Sequence, residues 1–287
     1  MNQLLPDRLK DLWRAVKEKT VTGDDAWAQQ ERWMDEYRAT WTRALLLDGQ
    51  SELKQSILAE LGQYVGCADA AEVERRCVQA HKAVAREWQA IVNPDDSATV
   101  ADFYNRSKAE LYGLAWWHTL VEDSTPLAYV LALEFAQQHG CRQYADYGSG
   151  VGSSGVLFAR AGFEVTLADI ASPLLRFCGW RMAQRGLPVW CIDLKTDRLP
   201  ARKFDFVTAM DVFEHLTDPV GAAEHVCAAL KPGGFLFGRL AVEAGDHRPG
   251  HVVDDLKPTL RRMTELGLEE TWRDEWLWGH QAFRKAR

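Results

Sequence analysis

The run Tyr144-Ala145-Asp146-Tyr147-Gly148-Ser149-Gly150-Val151-Gly152 reads as a short strand that breaks into glycines spaced two apart, with a helix starting near Ser153. Glycine at these places permits a tight turn and lets a ligand approach the backbone with no Cβ in the way. Such a loop cradles a cofactor. Nucleotide-dependent oxidoreductases use similar turns against a pyrophosphate, so the context has to separate the two. Asp146, two positions ahead of the first glycine, would repel a diphosphate and suits a cofactor end that carries an ammonium. No lysine follows the glycines as a phosphate-binding P-loop requires.

Beyond Arg142 short apolar runs alternate with helical stretches, the pattern of a parallel sheet covered by helices. Strands are expected at residues 143–146, 164–168, 188–192, 204–210 and 235–240, with helices at 174–184 and 220–230 between them. The tail alternates over 268–272 and 276–283, which reads as a final hairpin. Asp169 closes the second strand roughly 20 residues past the first glycine, where a carboxylate can accept both hydroxyls of a ribose. Asp193, after the third, stands where a carboxylate can receive an adenine amino group. Either aspartate alone reads as a loop residue or helix cap; their order relative to the glycines argues against coincidence.

Upstream the period changes. Trp27, Met34, Tyr37, Trp41 and Leu45 share one helix face, and Val73, Ala80, Val84, Trp88 and Ile91 share another that Pro94 should end. Both aromatic stripes read as helix-bundle core in preference to a ligand wall. The segments 102–107 and 111–118 carry aromatics suited to lining a pocket. Ser124-Thr125-Pro126 should then cap and start a helix that ends at Gly140. The expected organisation is an all-helical cap over 1–123 and an α/β cofactor domain over 124–287.

Composition narrows the function classes. The chain has 287 residues, 47% hydrophobic, enough for a substantial core, and a formal charge of −7. That balance, with no long Lys/Arg patch, argues against nucleic acid as the main partner. No stretch approaches the ~20 apolar residues of a membrane span, and the first residues lack a basic region followed by an apolar one, so a cytoplasmic protein without membrane insertion is expected. The six cysteines are scattered with no C-x-x-C pair, and read as buried thiols. Oligomerisation, if it occurs, is expected through the helical region.

A family resemblance rests on Asp146 to Gly152, Asp169 and Asp193, on the run Asp205-Phe206-Val207-Thr208-Ala209-Met210-Asp211-Val212-Phe213-Glu214-His215-Leu216, and on Leu230-Lys231-Pro232-Gly233-Gly234. On these residues the stretch 124–287 resembles the class I S-adenosylmethionine-dependent methyltransferases, especially the group that includes the ubiquinone-biosynthesis O-methyltransferases. The resemblance implies a Rossmann-like, mostly parallel seven-stranded sheet flanked by helices, with S-adenosylmethionine across the carboxyl ends of strands one, two and four. It places Asp146, Gly148, Ser149, Gly150 and Gly152 at the methionine moiety and Asp169 at the ribose. Asp193, Ile170 and Leu194 fall at the adenine, and Met210 joins the cofactor set. In this superfamily, N-terminal extensions usually cover the acceptor pocket.

Methyl transfer is an in-line displacement at a sulfonium carbon, so the protein must mainly align the reactants and exclude water. A base matters only if the acceptor loses a proton. His215 follows Glu214 just past the fourth strand, at the sheet end where a ligand lies. In related families an Asp/Glu-x-x-Glu-His run sometimes carries a divalent metal. Asp211, Glu214 and His215 match that spacing, with His247 or His251 to complete the set. The Glu-His pair also occurs in relatives not known to need metal. His251 lies in the loop after the fifth strand and is a candidate base or ligand, or simply a residue flanking the next helix. Tyr112 and His118, with Trp116 and Trp117, are placed to close the pocket, although the tryptophans also suit helix packing.

The leading reading is methyl transfer to a small molecule, at oxygen ahead of nitrogen or carbon. The alternatives are a non-methylating enzyme on the same cofactor fold, a metal-dependent RNA 2′-O-methyltransferase, and a non-catalytic partner subunit.

Overall fold

A computed structural model of the chain describes residues 3–93, 96–120, 124–240 and 250–287. Pro94 and His247 lie outside them. Six helices come first: α1 (Leu5–Lys17), α2 (Gly23–Leu45), α3 (Leu53–Val65), α4 (Ala70–Ile91), α5 (Ser97–Arg106) and α6 (Ala109–Trp117). Several start at an expected kind of cap. Thr22 accepts from the Asp25 amide, and Asp69 accepts from the amides of Ala71 and Glu72. Gly66, in the left-handed region, ends α3.

Helix α7 (Ala128–Gln138) then leads into the alternating part: β1 (Gln143–Tyr147), α8 (Ser153–Arg160), β2 (Glu164–Asp169), α9 (Ser172–Gln184), β3 (Trp190–Asp193), β4 (Phe204–Ala209), α10 (Pro219–Ala229), β5 (Leu230–Gly238), α11 (Lys257–Glu265), β6 (Leu268–Arg273) and β7 (Gln281–Lys285). The strands form one sheet in the order β3-β2-β1-β4-β5-β7-β6. The first five pair in parallel, and β7 runs antiparallel to both β5 and β6. The chain winds outward in both directions from β1 and β4, so the crevice at their carboxyl ends is where such a sheet accepts a ligand.

Alternation along the strands sorts side chains onto two faces. Tyr144, Phe206, Phe235 and Phe237 point to one core, which α7, α8 and α9 cover. Ala145, Val207 and Leu236 point to the other, under α10 and α11. The first core does not stop at those three helices. It runs on through Trp41, Leu45, Ile57 and Val73 of α2, α3 and α4, so the helical region and one face of the sheet share their apolar interior. Trp41, fully buried, donates its indole N–H to the Thr119 carbonyl at 2.8 Å and stacks on Tyr129 of α7.

Several details depart from the sequence reading. Ser124 makes no side-chain cap; a single 3-10 turn over Thr125–Leu127 precedes α7, and the Ser124 hydroxyl accepts from the Trp278 indole instead. Residues 276–280 are not strand. The buried Asp274 carboxylate takes the amides of Trp276, Leu277 and Trp278, which folds that stretch into a turn, and β7 starts only at Gln281. Trp27 leaves its expected face: it is 55% exposed and packs edge-on against Trp13. At the β3 edge Trp190 is 72% exposed, with the Lys203 ammonium 5.2 Å from its ring centre.

Candidate active site

The loop between β1 and α8 owes its shape to three glycines in the left-handed region, at φ 77° for Gly148, 52° for Gly150 and 70° for Gly152. At Gly148 the requirement is doubled, because an added Cβ would come within 2.6 Å of Val212 Cγ2. The amides of Gly148 and Ser149 bond the Ala168 carbonyl, tying the loop to β2. Asp169, at the end of β2, accepts from the Gly150 amide on one oxygen and from the Ala171 amide on the other, each at 2.8 Å. Burial pushes its carboxyl up to about 6 against those two hydrogen bonds.

These groups form one wall of a cavity of ≈ 490 Å³ at the carboxyl ends of the strands. Of the residues assigned to the cofactor, Gly148, Ser149, Gly150, Asp169, Ile170, Leu194 and Met210 line it. Asp146, Gly152 and Asp193 do not. Asp146 sits wholly buried behind the loop, accepting from the hydroxyls of Ser154 and Thr208, and Thr208 in turn accepts from Tyr144. Burial lifts its carboxyl to about 6. It supports the loop from beneath and presents no oxygen to the cavity. Gly152 is packed against Cys178 and Leu167, and Asp193 is engaged by Ser172 and Lys195.

The second wall carries the polar cluster. Glu214 and His215 lie in a 3-10 turn, Phe213–His215, and the main-chain carbonyl of Glu214 accepts the Val252 amide, bringing the following loop alongside. His215 Nδ1 meets the Gly250 carbonyl at 2.9 Å; a carbonyl can only accept, so Nδ1 donates and Nε2 is left with its lone pair. Burial drives the His215 imidazole down to about 4, so it is neutral near pH 7. Its ring stands 4.6 Å from that of His251 at 82°.

Glu214, His215 and His251 each offer one atom of a trio lying within 4.8 Å of one another, a set of the kind that holds zinc with an open position. Neutral His215, oriented by a carbonyl on its far nitrogen, is in the correct form for a ligand. Asp211, expected in that set, is not in it. It faces Arg239 at 3.5 Å, in a left-handed conformation at φ 49° that is unusual without glycine and recurs at functional sites.

The third wall comes from the N-terminal helices: Val84 and Trp88 of α4, Phe103 and Tyr104 of α5, Glu110, Leu114 and Trp117 of α6, then His118. Tyr112 is not part of it; it is buried in the helical core, and its hydroxyl accepts from Arg76. Trp116 is buried and Trp117 faces the cavity. Sequence reasoning missed Glu110, Tyr129, Arg239 and His280, which all line the cavity. Burial raises Glu110 to about 7, with Asp169 and Glu87 adding to the shift. His280, 1% exposed, stacks on Phe237 and its Nδ1 has no hydrogen-bond partner among the described residues. Nothing in the local sequence marks these four; the fold alone gathers them.

With this geometry in place, comparison with known proteins is decisive for the C-terminal part. A family described as a methyltransferase domain matches residues 145–236, the stretch from β1 into β5. Residues 145–236 are thus a methyltransferase domain of the class I S-adenosylmethionine-dependent kind. Similar curated proteins include the ubiquinone biosynthesis O-methyltransferases of Albidiferax ferrireducens, 30% identical over 155 residues (50% of this chain, 61% of the relative), and of Bordetella avium, 31% identical over 134 residues (42% and 54%). The chain thus spans about half the length of the curated relatives it matches. The fold is shared with the N-methyltransferase NodS from Bradyrhizobium japonicum in complex with S-adenosylhomocysteine. There the TM-score is 0.53 at 20% identity, covering 67% of this chain and 100% of that one. Among the described residues no helix is long and apolar enough to cross a membrane.

The cofactor of this superfamily fits the residues present. Ser149 Oγ is buried at the loop without a hydrogen-bond partner among the described residues, as a donor awaiting an acceptor would be. Asp169 faces the same cavity, flanked by Ile170, Leu174 and Leu194, an aliphatic slot suited to a purine. The loop and Ser149 would hold the methionine part, Asp169 the ribose, and the slot the adenine.

Proposed function

We propose that the protein transfers the methyl group of S-adenosylmethionine to an oxygen of a small molecule held between α4–α6 and the carboxyl ends of the sheet. One observation carries this: the loop and Asp169 form one wall of a single cavity whose other walls are aromatic and histidine-bearing. The cofactor, when bound, supplies an electrophilic methyl on a sulfonium. The protein's part is positioning and proton handling. Trp88, Phe103, Tyr104 and Trp117 would sandwich a flat acceptor and exclude water from the reaction line. His251, set against neutral His215, would take the hydroxyl proton as the oxygen attacks. His118 closes the same space.

The test is incubation with methyl-labelled cofactor and a set of phenolic, aliphatic hydroxyl and amine acceptors, with the label followed by mass spectrometry. Label on an acceptor oxygen is expected. Conversion of an acceptor with all label retained on the cofactor would replace methyl transfer by the non-methylating reading. A second reading, metal assistance, is favoured by the Glu214, His215 and His251 trio. Turnover lost on chelation and restored by zinc or magnesium would establish it, and turnover unaffected by chelators would leave the imidazoles in proton transfer alone.

A further inference from the structure

We infer that Glu60, far outside the methyltransferase-domain match, is a positioning residue for the cofactor loop, so that the N-terminal helical region helps build the cofactor site as well as the acceptor wall. The inference rests on the cofactor reading above. The observation behind it is a buried ionic cluster: Glu60 of α3 and Arg181 and Arg185 of α9 have side chains only 1–2% exposed. Arg181 Nε donates to both Glu60 oxygens, at 3.2 and 3.1 Å, and Arg185 Nη1 bonds the same carboxylate.

The two arginines then diverge. Arg181 Nη1 reaches the cofactor loop, donating to the Val151 carbonyl at 3.2 Å and to Ser153 Oγ at 2.8 Å. Arg185 Nη2 turns away to the Leu45 carbonyl at the end of α2, at 2.8 Å. Val151 and Ser153 both line the cavity. Ser153 also meets the Thr119 hydroxyl at 3.0 Å, so the loop is held from two sides by groups from the helical region or anchored to it.

Charge and geometry explain why the carboxylate governs the loop. A guanidinium is planar and always charged, so its fork points where its partner sets it. Clamping Nε on both Glu60 oxygens fixes the plane of Arg181, and that plane aims Nη1 at the loop. Without Glu60, two buried guanidinium groups lack their shared counter-charge, and only the Nη1 bonds to Val151 and Ser153 are left to hold Arg181 in that orientation. The amides of Gly148, Ser149 and Gly150 tie the first half of the loop to β2, whereas Arg181 holds its second half at Val151 and Ser153.

The experiment measures S-adenosylhomocysteine affinity by calorimetry, and melting temperature, for the full chain and for Glu60→Gln, Arg181→Gln and Arg185→Gln. The first two should weaken affinity about tenfold, a change typical of residues acting through a packed network. Arg185→Gln, which loses a comparable buried charge but no contact with the loop, should lower the melting temperature while holding affinity within about twofold. Should Arg181→Gln fail to fold, Arg181→Lys keeps the charge opposite Glu60, gives up the arm to Val151 and Ser153, and carries the same expectation. Equal affinity losses in all three variants, or none in Glu60→Gln, overturn the positioning role while leaving the cofactor site intact. Wild-type protein that binds no S-adenosylhomocysteine overturns both.

Discussion

Gly150 shows how one residue ties conformation to binding. Its φ of 52° is unfavourable for a β-branched side chain, whereas the space around its missing Cβ is open, with only Leu114 at 3.5 Å. Gly150→Val should therefore cost about 1–3 kcal/mol of stability through the backbone while placing a side chain against the cavity. The chain should stay folded by circular dichroism and show no S-adenosylhomocysteine binding in calorimetry; retained affinity would contradict the placement. Asp169 makes a pH argument at the same scale. Its carboxyl, lifted to about 6 by burial, is ionised above that value and loses its charge below it. A protonated carboxyl accepts ribose hydroxyls poorly, so affinity should fall as pH drops from about 7.5 to about 5. A flat titration would remove Asp169 from the ribose.

Glu110 makes a pH argument about stability instead of affinity. Burial raises it from 4.5 to about 7, so the native state holds its proton more tightly than the unfolded chain does. That contribution is complete below the unfolded value and is lost as pH climbs through the folded one. Glu110→Gln should thus gain on the wild type as pH increases from about 5 to about 8, by an amount on the order of 2 kcal/mol. Thermal melts at both ends of the range decide it. Glycines, Asp169 and the Glu214-His215 pair were legible in the sequence because their roles depend on near neighbours in the chain. Glu110, His280 and Arg239 were not, because only the sheet order and the packing of α6 bring them to one space.

Among the elements, α4 shows where periodicity misleads. Its apolar stripe is continuous in sequence, yet Val73 and Ala80 are core whereas Val84 and Trp88, further along the same face, look into the cavity. A helical pattern says which side is apolar and not whether protein or ligand will cover it. The tail shows a related limit. Residues 276–283 alternate like a strand, but three amides bound by the Asp274 carboxylate outweigh that pattern and hold a turn. If α4 to α6 form the acceptor wall, Trp117→Ala should raise the acceptor KM several-fold and leave S-adenosylhomocysteine affinity unchanged. Equal loss in both would place Trp117 on the cofactor side.

For the whole molecule, the decisive feature is a core that passes without a break from α2 and α3 to the sheet. Two pieces that share buried side chains this way cannot open separately without exposing them. Calorimetric unfolding of the full chain should accordingly show one transition; two resolved transitions would mean that the helices and the sheet are independent. The sequence divides the chain at the point where its period changes, yet a change of pattern is silent about which surfaces are buried together. Residues such as Leu45 and Arg185, distant in sequence, touch only because the tertiary structure folds back on itself.

The cation resting on Trp190 has a consequence for how molecules meet one another. A border strand offers unpaired amides and carbonyls to any other strand, and a large indole beside them would add adhesion. Lys203 sets a charge over that ring, which deters a second copy from docking there. Lys203→Ala should leave ligand affinity intact while light scattering reports clumping on concentration, and clear solutions at high protein would show that this border is guarded by something else.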